Sequence, residues 1–156
     1  MTQRLEPRPT GALAEQAKAL QDTLVELIDL SLQAKQAHWN VVGPTFRPIH
    51  ELLDEFTGSY RAWYDDVAER MAAIGVAPDG RSPTISGSTP LEQLPEGQLE
   101  DRAVLAGFDE RVTAIASRIR DRIEAIGDQD LASQDLLIEI VRGMEKQRWM
   151  LRAHRG

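Results

Sequence analysis

Residues 76–97 read VAPDGRSPTISGSTPLEQLPEG. Pro78, Gly80, Pro83, Gly87, Pro90, Pro95 and Gly97 break any long periodic pattern here, because proline removes a donor and glycine loosens the backbone. A connection this long is unusual inside a compact domain. It can run the full length of a helical bundle, so the helices on either side of it can lie parallel. Within it, Leu91 to Leu94, after Thr89-Pro90, is expected to form a helical turn.

Both flanks read as helices. Immediately upstream, Thr45 can cap a helix with Pro48 in its first turn, where a missing N–H is harmless. Ile49, Leu52, Leu53, Phe56, Tyr60, Trp63, Val67 and Ile74 keep a three/four spacing, and Gly75 closes the run. Earlier still, Thr10 can cap a helix carrying Leu13, Leu20, Leu24, Leu27 and Ala34. That helix reaches about His38 before Asn40 and Gly43-Pro44 stop it. Downstream, residues 101–126 carry Val104, Leu105, Phe108, Val112, Ile115, Ile119, Ile123 and Ile126 as a core stripe. Arg118, Arg120, Asp121, Arg122 and Glu124 read as a solvated face. After Gly127, residues 130–152 form a last helix whose apolar positions include Leu136, Leu137, Ile140, Val141, Met144, Trp149 and Leu151. The fold class is all-α: a four-helix bundle of two hairpins, with a long crossover between the second and third helices. Residues 1–9 read as a flexible arm, and residues 10–156 as the bundle domain.

Composition agrees with that class. The chain has 156 residues, 42% apolar and 28% charged, enough for one domain with a real core. It has no cysteine, so a metal would be held by oxygen and imidazole nitrogen, which suits iron, manganese or zinc. No apolar run approaches membrane-spanning length, and no signal-like core opens the chain; a cytoplasmic location is expected. The net charge of -7 disfavours non-specific nucleic-acid binding and attracts cations.

The chemistry gathers in residues 38–69. His50 and Asp54 are four apart, as are Asp65 and Glu69, so each pair projects from one helix face. His38 lies at the end of the preceding helix. A single such pair is common on solvated helices. Two pairs related by a two-fold axis are less so. Asp54 and Asp65 are eleven residues apart, roughly 16 Å along the axis, against a metal–oxygen bond of about 2 Å. One copy of the helix therefore cannot bring both pairs to one ion. The Glu-x-x-His motifs of one-chain di-iron bundles are missing, since Lys35, Arg47 and Leu151 stand three before the histidines. A second, antiparallel copy across a two-fold axis near residues 58–61 would bring His50 and Asp54 to the partner's Asp65 and Glu69. Gly58, costly inside a helix, would permit close approach there.

KQAHWNVVGPTFRPIHELLDEF, followed by YDDVAERMAAIG, resembles the Dps family, the ferritin-like miniferritins. The family pattern falls on His38, Trp39, His50, Asp54, Asp65 and Glu69, and the likeness in length and helix order covers the chain. The resemblance implies a ferritin-like fold and a homo-dodecamer built from two-fold dimers. It implies two iron ions per inter-subunit site, held by His38, His50 and Asp54 of one chain and by Asp65 and Glu69 of the next. Ferrous iron would be oxidised there, preferably by hydrogen peroxide, and stored as ferric mineral, which protects DNA. Trp39 or Tyr64 could pack against the site or supply an electron. Asp128, Asp130 and Asp135 would line an iron-entry pore. Some relatives bind DNA through lysine-rich arms, whereas this arm is short and lysine-free. Direct DNA binding is therefore expected to be weak or absent. A DNA-compacting, nucleoid-associated protein with secondary iron oxidation is the alternative, and a dimeric helical protein without oxidase activity is the third reading.

Overall fold

A computed structural model describes residues 9–155; all but Pro9 of the expected arm lies outside this range. Helix α1 (Ala12–Asn40) and helix α2 (Phe46–Ala73) form one hairpin, and α4 (Asp101–Ile126) and α5 (Leu131–Arg155) form the other. The crossover between them carries a short helix, α3 (Ser82–Ser88), and ends in an extended pair. That pair is a two-residue parallel bridge of β1 (Val41–Val42) with β2 (Leu99–Glu100). It sets the start of α4 beside the end of α1 and the start of α2. Helix α4 therefore runs parallel to α2, as the length of the connection predicts.

The core is the inner stripe of the four long helices. Leu20, Leu24, Leu27 and Leu30 meet Ile49, Leu53, Phe56 and Tyr60, with Phe108, Val112, Ile115 and Ile119 from α4 and Leu137, Ile140 and Met144 from α5. Trp149 departs from its expected place and is 67% exposed. The 3.6-residue period carries the inner stripe from Met144 to Gln147 and Leu151, both buried, and turns Trp149 outward. Leu13, in the first turn of α1, is also exposed.

Two other expectations change. The helical turn sits at residues 82–88, with Pro83 at its start, and Leu91 to Leu94 is not helical. Thr89 and Gln93 direct their side chains to the buried carboxylate of Asp29, and Arg111 takes the Glu92 carbonyl. Those long-range bonds hold the segment out of a helix. Arg118 and Arg122 are not simply a solvated face. Both donate to Glu26 of α1, a carboxylate only 1% exposed, and so fasten α4 to α1. Burying a carboxylate is costly unless it is paired and hydrogen-bonded.

Candidate metal centre

Gly43 brings α1 and α2 together. Its φ of 132° suits glycine, and a Cβ there would lie 2.6 Å from the Asp101 carboxylate. Asp101, at the first turn of α4, accepts the Thr45 N–H at 2.9 Å and the Thr45 hydroxyl at 2.6 Å. Thr45 therefore stands at the cap position of α2 with its side chain turned to α4 rather than to its own helix. The hydroxyl and N–H of Thr45 hold the Asp101 carboxyl below the usual range. This turn delivers His50 of α2 to His38 of α1.

The two imidazoles stack, with centroids 3.6 Å apart and planes 16° from parallel. His38 Nδ1 lies 2.7 Å from the His50 carbonyl, and His50 Nδ1 lies 2.7 Å from the His38 carbonyl. A carbonyl only accepts, so each Nδ1 carries the proton. With Nδ1 engaged in this way, Nε2 is the ring atom left to meet a metal. Phe46 packs beside His50, its centroid 5.1 Å away.

Asp54 lies one turn further along α2. Lys35 Nζ donates to its Oδ1 at 2.6 Å. That hydrogen bond, aided by the charges of Lys35, His38 and His50, keeps the exposed Asp54 carboxyl below its ordinary value. The Lys35 ammonium also sits 5.8 Å from the centroid of the Trp39 ring, which is largely exposed. Sequence reasoning missed Lys35 as a partner of Asp54. The signal was there: Lys35 lies three residues before His38, on the same face of α1.

Asp65 and Glu69 continue down α2. Residues Asp54, Gly58, Arg61, Ala62, Asp65 and Glu69 are all exposed. Among the described residues, no helix covers this stripe, and nothing lies within 4 Å of where a Gly58 Cβ would stand. Tyr64 is partly buried against the core. Among the described residues of one chain, no three His, Asp, Glu or Cys side chains are grouped to hold an ion. One subunit thus presents His38, His50 and Asp54 at one end of the stripe, and Asp65 and Glu69 at the other.

The three acidic residues near the start of α5 differ in setting. Asp128, in the 3₁₀ turn Gly127–Gln129, and Asp135 are exposed. Asp130 is engaged. It accepts from Arg70 at 2.8 Å and from the Ser133 N–H at 3.1 Å. Partial burial would raise its carboxyl, but the Ser133 hydrogen bonds and Arg70 outweigh that and hold it low. Asp135 shares a groove between α2 and α5 with Asp66, Glu69 and Glu139.

Comparison with known proteins agrees with this architecture. The ferritin-like domain model matches residues 17–156. The chain is 38% identical over 144 residues to "DNA protection during starvation protein 2" of Deinococcus radiodurans, covering 92% of this chain and 60% of that protein. It therefore spans less than two thirds of that relative. It is 38% identical over 138 residues to the DNA protection during starvation protein of Mycolicibacterium smegmatis, covering 88% of this chain and 75% of the relative. The crystal structure of a Dps protein of Deinococcus radiodurans superposes with a TM-score of 0.90 at 38% identity, over 92% of this chain and 87% of that one. With matching helix order, family model and relatives, this chain belongs to the Dps family of ferritin-like proteins.

Proposed function

We propose that the chain is the subunit of a homo-oligomeric ferroxidase and iron store that consumes ferrous iron and hydrogen peroxide and thereby protects DNA from oxidative damage. The observation that carries this reading is the His38–His50 clasp, which fixes two metal-binding imidazole faces beside an ionised Asp54 on an uncovered helix stripe. Family membership supports the same chemistry.

In this reading, two-fold-related subunits complete each other. His38, His50 and Asp54 of one chain hold iron with Asp65 and Glu69 of the next, and Gly58 lies near the axis. Each such centre takes two ferrous ions as substrate. Two ferrous ions supply the two electrons that one hydrogen peroxide needs, so two protons and one peroxide leave as two waters with no free radical released. Imidazole suits the ferrous ion, and carboxylate suits the ferric product. Trp39, beside His38, packs on the centre or donates an electron. The dimers assemble as a dodecamer, with Asp128 and Asp135 at an iron-entry pore and Asp130 shaping it through Arg70. The location is cytoplasmic. Direct DNA binding is weak or absent, because the net charge of -7 opposes it.

The deciding experiment is complementation. Asp54→Asn and Asp65→Asn proteins are each loaded anaerobically with ferrous iron, pulsed with peroxide and followed spectroscopically; each is expected to oxidise iron slowly. Refolded together at equal ratio, half the dimers pair one variant with the other, and each mixed dimer has one intact centre. Roughly a quarter of the native rate should return. A mixture no faster than its components would defeat the shared-site assignment.

A further inference from the structure

We propose that the cavity between the start of α4 and the end of α5 binds a phosphate-class oxyanion. The cavity measures about 410 Å³ and is lined by Pro44, Thr45, Asp101, Arg102, His154 and Arg155, among others. Its chemistry is cationic in a chain of net charge -7. Asp109, a buried carboxylate on α4, receives Arg148 at 3.4 Å, Arg152 at 3.0 Å and Arg155 at 3.8 Å. One carboxylate cannot neutralise three guanidinium groups, and Arg155, the most distant, is the one that also borders the cavity. Among the described residues, the Arg102 guanidinium has no carboxylate within ion-pair reach.

Among the described residues, Asp101 is the one acid in the wall, and Arg102 and Arg155 outnumber it. The oxygens of Asp101 already accept the Thr45 N–H, the Thr45 hydroxyl and the Arg102 N–H. His154 adds an imidazole to the same wall. Its Nδ1 lies 2.9 Å from the Met150 carbonyl, which leaves Nε2 as the ring atom free to meet a ligand. Guanidinium forks match the paired oxygens of a phosphate. A cavity of about 410 Å³ suits a free or terminal phosphate in size, and a duplex is far larger.

The test uses the assembled wild-type protein and inorganic phosphate, by calorimetry at low salt. One saturable site per subunit is expected. Arg102→Gln and Arg155→Gln should each weaken binding at least about tenfold. Arg142→Gln, an equal charge change on an exposed part of α5, should leave it within about twofold. Absence of saturable binding, or equal weakening by all three variants, would overturn the pocket. A second measurement avoids variants altogether. Phosphate should slow phenylglyoxal modification of Arg102 and Arg155 in the wild-type protein but not of Arg142, and uniform modification would count against the site. Duplex DNA at the same phosphate concentration should fail to displace inorganic phosphate; displacement would mean an open basic surface and no pocket. Iron oxidation by Arg102→Gln and Arg155→Gln should match wild type, so this result stands or falls apart from the ferroxidase reading.

Discussion

His38 and His50 fix one another: each ring gives its Nδ1–H to the other residue's carbonyl at 2.7 Å, and the rings stack face to face. The pair therefore acts as a unit in orienting two Nε2 atoms. His38→Ala and His50→Ala are each expected to slow peroxide-driven iron oxidation by about tenfold or more. The double variant should be little slower than either single one, because residues acting as a unit are non-additive. Initial rates after a peroxide pulse check this, and multiplicative losses would show independent ligands.

Lys35 and Asp54 make a contact that a metal ion would have to displace. Lys35→Met should raise ferrous affinity modestly, on the order of two- to five-fold, since an exposed ion pair is a weak competitor. Anaerobic calorimetry with ferrous iron reads this directly. Weaker binding by the variant would mean that Lys35 supports the site instead of competing for it.

Gly43 and Asp101 set the turn that brings the histidines together. Gly43→Ala must relieve both a 2.6 Å contact and a positive φ, at a cost of about 1–3 kcal/mol. A lower melting temperature and slower iron oxidation should appear together. The Asp101 carboxyl is held low by Thr45, so its contribution is complete above the unfolded carboxyl value of about 3.9. It is lost as pH falls through the lower folded value. Asp101→Asn should therefore melt below wild type at neutral pH, with the two curves converging in acid. A constant gap down to acid would remove Asp101 from that role.

Gly58 separates intrachain from interchain roles. Among the described residues of one chain its side-chain position is open, so Gly58→Ala should preserve the subunit fold and even favour the helix by about 1 kcal/mol. A larger residue, as in Gly58→Leu, should leave the subunit helical while splitting the two-fold dimer. Circular dichroism and native mass spectrometry read the two effects separately. An intact assembly with unaltered iron oxidation would move the axis away from Gly58.

Much of this was readable in one dimension. Local spacing determined the four helices, because burial repeats every three or four residues in them. The proline- and glycine-rich run at residues 76–97 determined the crossover. The eleven-residue gap between Asp54 and Asp65 determined that one helix copy cannot hold both at a single ion, because helix rise per residue is constant. Contacts between residues far apart in sequence were decided only by the tertiary structure. Asp29 took the side chains of Thr89 and Gln93 where a helical turn at Leu91 to Leu94 was expected. Glu26 drew Arg118 and Arg122 off a solvated face. Lys35 reached Asp54 across a helix pair, and the cations around Asp109 met only where α4 and α5 converge. A side chain's local pattern says which way it leaves its helix. Which charge awaits it there depends on the packing of a different element.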